Sequence, residues 1–138
     1  MAALTKGRNT PRADGDIQSY PVLAATKIQV GGLTALDASG WAIPGATATT
    51  LTAVGRADEE VDNSAGANGA LRVKVRFGTF RYENSAAGDL ITAAEIGDDC
   101  YIVDDQTVAK TNGTSTRSVA GRIVQVDAQG VWVDLRIS

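Results

Sequence analysis

From Leu71 to Tyr82 the chain reads LRVKVRFGTFRY, and this alternation, which changes phase at its centre, constrains the fold more than any other stretch. Successive side chains of an extended chain point to opposite faces. Leu71, Val73, Val75 and Phe77 therefore share one side and Arg72, Lys74 and Arg76 the other, which is the pattern of a half-buried β-strand. After Gly78 the apolar residues fall on even numbers, Phe80 and Tyr82. A glycine-containing bulge accounts for such a one-residue slip at little steric cost. Val73, Val75 and Phe77 are expected to face the core while the three cations stay outside.

The rest of the chain repeats the theme in shorter pieces. Apolar or β-branched runs at Pro21 to Ala25, Lys27 to Val30, Leu33 to Leu36, Trp41 to Ile43 and the threonine-rich Ala46 to Val54 read as strands. Cys100 to Val103, Thr107 to Ala109, Val119 to Val126 and Val131 to Ile137 complete the set. Asp37-Ala38-Ser39-Gly40 and Asp127-Ala128-Gln129-Gly130 predict two hairpin turns of one kind, each with an aspartate bonding its own backbone, and a tryptophan, Trp41 or Trp132, follows each. Between Ala57 and Ala70 the acidic, then small-residue stretch DEEVDNSAGANG predicts an exposed connection and a candidate mobile element. Thr92-Ala93-Ala94-Glu95 fits a capping box, with Gly97 ending the turn.

No helical period persists over ten residues anywhere. The expectation is an all-β chain: a small antiparallel β-barrel or β-sandwich with an extended N-terminal arm and at most one short helical turn. Residues 1–19, which hold Gly7, Pro11 and Gly15 and no apolar period, form the arm, and residues 20–138 a single β domain.

Composition narrows the chemistry. The 138 residues contain no histidine and one cysteine, so an internal disulfide is excluded and the commonest general base and metal ligand is missing. No apolar run approaches the ~18 residues of a spanning helix, and the opening MAALTKGRNTPRADGD lacks the apolar core of a secretory signal. A soluble protein made in the cytoplasm is expected, without membrane contact and without cofactors. Cys100, beside Tyr101 in an apolar run, reads as a small buried hydrophobe. Asp98, Asp99, Asp104 and Asp105 cluster densely, but each pair flanks a strand, so turn chemistry explains them better than calcium binding or acid–base catalysis. Asn112-Gly113-Thr114 reads as a loop with an Asn-Gly turn rather than a glycosylation site. No phosphate-binding glycine motif is present, and an enzyme is not expected.

Charge is unevenly placed. Residues 1–12 carry Lys6, Arg8 and Arg12 and no acid, so a net charge of −3 for the chain leaves −6 on the remainder. A cationic tail on an acidic body suits contact with another surface. Arg72, Lys74, Arg76 and Arg81 beside Phe80 and Tyr82 raise the question of nucleic acid, but a pI near 4.8 opposes it. The alternatives for this face are solvation, pairing with Asp58, Glu59, Glu60 and Asp62 across a hairpin, or contact with an acidic partner or neighbouring subunit. Lys6, Arg8, Arg12, Arg72, Lys74 and Arg76 are the candidate partner-binding residues; no catalytic or metal residues are assigned.

In the C-terminal part the order Gly97-Asp98-Asp99-Cys100-Tyr101-Ile102-Val103-Asp104-Asp105-Gln106-Thr107-Val108, then Arg117-Ser118-Val119-Ala120-Gly121-Arg122-Ile123, then Val126-Asp127-Ala128-Gln129-Gly130-Val131-Trp132-Val133, resembles the small capsid decoration (cement) proteins of tailed double-stranded DNA bacteriophages. An N-terminal polar arm before a β body also resembles that family. The resemblance implies a non-enzymatic structural protein of the virion. Such proteins bind the outer surface of the expanded head through the major capsid protein, commonly as homotrimers at local three-fold positions, and hold neighbouring capsomers together. It supplies no catalytic or metal residues. A rival expectation from a different class is a β-sandwich module that binds a host-surface or carbohydrate ligand through Trp41, Trp132 and the loops.

Overall fold

In the computed structural model, which describes residues 2–10, 12 and 15–136, local alternation becomes two five-stranded antiparallel sheets and one small two-stranded sheet. The strands are β1 (Ile17–Pro21), β2 (Thr26–Ile28), β3 (Leu33–Leu36), β4 (Ala42–Pro44), β5 (Thr52–Ala57), β6 (Val61–Asn63), β7 (Arg72–Arg76), β8 (Gly78–Tyr82), β9 (Asp99–Ile102), β10 (Val108–Ala109), β11 (Val119–Asp127) and β12 (Gly130–Leu135). The first sheet has the order β1-β7-β5-β3-β4, the second β10-β9-β11-β12-β8, and β2 pairs with β6.

The phase change in LRVKVRFGTFRY has a cause other than the expected bulge. β7 belongs to the first sheet and β8 to the second, so the chain turns a corner between Phe77 and Gly78 and each half keeps the alternation of its own sheet. Strands that switch sheets through a bend are a known way to build such corners. Gly78 takes φ +151, a conformation that residues with a Cβ rarely adopt. Gly55, beside Arg56 which pairs with Arg76, sits at φ +148, and a Cβ there would lie 2.7 Å from the Arg76 carbonyl oxygen. The backbones approach so closely here that no side chain fits.

Each five-stranded sheet also ties its two edges together. Val22, just past β1, forms a parallel bridge with Ala42 of β4, and Glu83, just past β8, does the same with Thr107 before β10. Leu23 N donates to Ala42 O at 3.1 Å, Glu83 N to Gln106 O at 2.8 Å and Val108 N to Glu83 O at 3.0 Å. Two cores result. Ile102, Val108, Ile123, Val131, Val133 and Leu135 of the second sheet gather with Leu33 and Ala35 of β3. Val54, Val73 and Val75 of the first sheet gather with Val22, Ile28 and Val61, so the β2–β6 pair covers this second cluster. The first sheet is buried on both faces where β3 and β5 run through it.

Val73 and Val75 are fully buried as expected, and Phe77 packs partly buried against the same cluster; Arg72 and Lys74 are exposed and Arg76 half-buried. Leu71 precedes the strand and is 44% exposed. Both predicted hairpin turns form. Asp37 Oδ1 accepts from Ser39 N at 2.9 Å and Trp41 N at 3.0 Å, and Asp127 Oδ1 from Gln129 N at 2.8 Å and Gly130 N at 3.0 Å. The Thr92–Glu95 capping box is present in both directions.

Four expectations need correction. The strand β1 begins at Ile17, inside the stretch assigned to the arm, because Ile17 and Ser19 find partners in Arg76 and Lys74. A second 3-10 turn, Ala87–Asp89, joins the expected one at Ala93–Glu95. The threonine-rich run is strand only from Thr52; before it, Ala46 makes one antiparallel bridge with Asp104, and Thr47 Oγ1 donates to Val103 O and Ser118 Oγ to Ala48 O, each at 2.8 Å, so a single bridge and side-chain bonds, not a ladder, hold this segment. The 57–70 connection is neither strandless nor loose. Val61–Asn63 is β6, and the buried Asn63 amide donates to Leu23 O and Ala67 O at 3.0 Å each, holding the following loop as a backbone segment would. Ile137, expected to end the last strand, lies outside the described residues.

Gly55→Ala tests the corner. A Cβ forced against the Arg76 carbonyl at positive φ should lower unfolding stability by roughly 1–3 kcal/mol, read as a lower urea midpoint with unchanged slope. An unchanged midpoint would show that the close approach is not there.

Candidate interaction surface

The register of β1 on β7 places Ile17, Ser19 and Pro21 opposite Arg76, Lys74 and Arg72. Directly opposed residues of an antiparallel pair share a face, so these six side chains make one surface, while Tyr20 and Val73 turn to the core on the other. Arg56 of β5, paired with Arg76, extends it. The sequence reading did not include Arg56, because its place on this face depends on a bulge in β5 that displaces Val54 from the ladder with β3.

The cations on this face are held in different ways. Asp58 receives both Arg76 nitrogens, Nε at 3.3 Å and Nη2 at 3.2 Å, and Arg56 Nη1 at 3.1 Å, so one carboxylate lies between two guanidinium groups. Pairing with Asp58, Glu59, Glu60 and Asp62, one of the alternatives for this face, thus occurs between Asp58 and Arg76, whereas Glu60 pairs with Lys27 of β2 at 3.0 Å, which the sequence did not suggest. Glu59 accepts the backbone N–H of Lys74 at 3.3 Å. Arg72 donates to Ser19, through Nε to Oγ at 3.1 Å and Nη2 to the carbonyl at 2.9 Å, which braces β1 against β7. The Arg56 guanidinium also lies 5.5 Å from the centre of the Phe80 ring, across the corner.

Lys6, Arg8 and Arg12 lie on the segment that leads into this face. Every described residue from Ala2 to Asp16 is exposed, Leu4 to 72%, and none forms a strand. The segment joins the body where Phe77 N donates to Asp16 O at 2.8 Å, at the corner itself. β1 is an edge strand whose outer side is bridged only past its C-terminal end, at Val22. The structure thus brings Arg72, Lys74 and Arg76 onto one face and places Lys6, Arg8 and Arg12 on the exposed chain that enters its edge.

The other candidates are engaged within the fold. Trp132 Nε1 donates to Asp127 Oδ2 at 3.0 Å and its ring lies 5.5 Å from the Arg81 guanidinium. Trp41 borders the Gly69 loop, where a Cβ on Gly69 would meet the ring at 3.1 Å. Asp104 Oδ1 accepts from Gln106 N at 2.9 Å, the expected turn role, and among the described residues no group of three acidic, cysteine or histidine side chains is placed to hold a metal. Cys100 is fully buried, and loss of water pushes its thiol up to about 12, so it stays protonated. A depression of about 270 Å³ lies where Thr52 faces Asp99, Arg122, Asp134 and Arg136, open and lined by charges of both signs. Among the described residues no helix is long and apolar enough to cross a membrane.

Comparison of the chain with protein-family models, with characterised proteins and with solved structures finds no match.

The Trp132–Asp127 bond carries a pH prediction. The indole N–H, first among several donors, holds the Asp127 carboxyl below its ordinary value of 3.8. A carboxylate with a depressed folded value contributes its stabilisation above the unfolded value, and the contribution is lost as pH falls through the folded one. As pH falls, the movement of the Trp132 indole N–H resonance should therefore be centred below 3.8, and it should be abolished in Asp127→Asn. Movement centred above 3.8 would contradict the bond.

Proposed function

We propose that this chain is a capsid decoration protein, which binds the outer surface of a phage head and stabilises contacts between neighbouring major capsid protein capsomers. One observation carries the reading: an exposed, cationic leading segment runs directly into β1, an edge strand that is bridged on its outer side past its C-terminal end, at Val22. Such a segment is suited to adding a strand to a sheet edge on a partner, where main-chain hydrogen bonds give affinity and side chains set register. Lys6, Arg8 and Arg12 then favour an acidic partner surface, with Arg72 and Lys74 exposed behind them.

Energetics favour a multivalent form. Ordering about ten backbone residues costs roughly 10–20 kcal/mol, which a single arm recovers with difficulty. In a homo-oligomer, of which a trimer matches local three-fold positions on a shell, docking of one arm raises the effective concentration of the others. Binding to the assembled lattice and not to free subunits stabilises the lattice by linkage. The outer capsid surface is the expected location, with no role for nucleic acid or membrane. A host-surface or carbohydrate module has less support, since both tryptophans it relies on already have partners inside the fold.

Deletion of residues 2–15 tests the proposal while keeping Asp16, whose carbonyl anchors Phe77 N. The truncated chain should keep the circular dichroism and melting temperature of the full chain and lose co-sedimentation with expanded heads of the phage that encodes it by at least roughly tenfold in affinity. Full-strength head binding by the folded, truncated chain would overturn the arm's role. Absence of binding by the intact chain at any concentration would overturn the function.

A further inference from the structure

The chain contains the Asn-Gly pair twice, at Asn68–Gly69 and Asn112–Gly113, both with the asparagine exposed. In this pair the glycine backbone nitrogen, unshielded by a Cβ, can attack the asparagine side-chain carbonyl carbon. The new N–C bond closes a succinimide ring, the old C–N bond breaks, and the displaced amide leaves as ammonia with the proton of the glycine N–H. Solvent water then opens the ring at either carbonyl, giving aspartate or isoaspartate.

We propose that Asn112 is a deamidation site in the folded protein and that the fold suppresses the same reaction at Asn68. At the first pair the attacking nitrogen is occupied: Gly69 N donates to Val22 O at 2.9 Å, tying it to the end of β1. The Asn68 side chain is held too, its Oδ1 accepting from Ala24 N at 2.8 Å. A Cβ on Gly69 would meet the Trp41 ring, from another part of the fold, at 3.1 Å, whereas the side chains that crowd Gly113, those of Thr116 and Arg117, belong to its own loop. To react, this loop must open away from the body. At the second pair Gly113 N makes only a long 3.3 Å bond, within its own loop, to a Thr111 hydroxyl that is itself donated to Asp89. Asn112 Oδ1 accepts from Ser115 N at 3.2 Å, again within the loop. Gly113, Thr114 and Ser115 take φ of +64, +60 and +63 in succession, a left-handed run in which Thr114 and Ser115 are strained. Reaction there breaks no bond to a strand.

The product changes more than one side chain. Asn112 O accepts from Thr116 N at 2.9 Å and Arg117 N at 3.0 Å, and Arg117 reaches Asp89 at 3.2 Å. Isoaspartate inserts an extra carbon into the backbone at this point and would displace that carbonyl, freeing the loop.

The test uses the intact protein, aged in warm, mildly alkaline buffer, natively and in concentrated urea, and then digested. Mass spectrometry follows the exchange of side-chain NH₂ for OH in the two peptides, and isoaspartyl methyltransferase labels the isoaspartate. In the native protein Asn112 should convert roughly fivefold or more faster than Asn68, as expected if one net hydrogen bond or more must break at Gly69. In urea the two rates should converge. Native conversion of Asn68 at the rate of Asn112 or faster would overturn the proposal, as would an undiminished difference in urea, which would assign selectivity to local sequence and not to the fold.

Discussion

Unpaired sheet edges are the constraint on which this architecture turns. A five-stranded antiparallel sheet leaves two rows of backbone donors and acceptors that attract other chains. Here each sheet meets the difficulty with a single parallel bridge, Val22 to Ala42 in one and Glu83 to Thr107 in the other. The residues just past β1 and β8 carry these bridges, so the same positions that end a strand close a sheet. Because both bridges lie past the strand ends, the outer sides of β1 and β8 pair with no strand along their length among the described residues, and β1 is the one that the exposed leading segment enters. β1 is thus an edge strand that lies directly after the cationic leading segment.

The corner at Phe77–Gly78 makes this arrangement possible. By carrying one nearly continuous strand from the first sheet into the second, it fixes the two sheets relative to each other and brings Arg56 over Phe80. Asp58 sits at the same corner and gathers Arg56 and Arg76, leaving Arg72 and Lys74 as the exposed part of the face. Surface ion pairs of this kind contribute about 1 kcal/mol or less each. Their effect here is to orient side chains more than to stabilise the fold.

Local signals were legible in the sequence where one residue's chemistry decides the outcome. The aspartates at 37 and 127, the Thr92–Glu95 box and the alternation of β7 needed nothing beyond their neighbours. The missed features depend on distant partners. A one-residue phase change looks the same whether a strand bulges or changes sheets, and only the pairing of β8 with β12 separates the two. β6 is three residues in an acidic stretch, too short for a period, and exists because β2 pairs with it and Asn63 is buried beneath the loop. Of the candidate site, the cations of β7 were placed by alternation alone, whereas Arg56 depended on register across two strands.

In the proposed function, a β body holds an edge strand at its rim, and the exposed cationic segment leading into it would become ordered on a protein shell. The most direct measurement of that claim is backbone hydrogen exchange, compared between free protein and protein bound to expanded heads. The account predicts that amides of residues 2–16 exchange without protection in the free chain and slow by orders of magnitude on the head, while those of β3, β5 and β7 are protected in both states. Arm amides that exchange equally fast on the head, or that are already protected in the free chain, would contradict it.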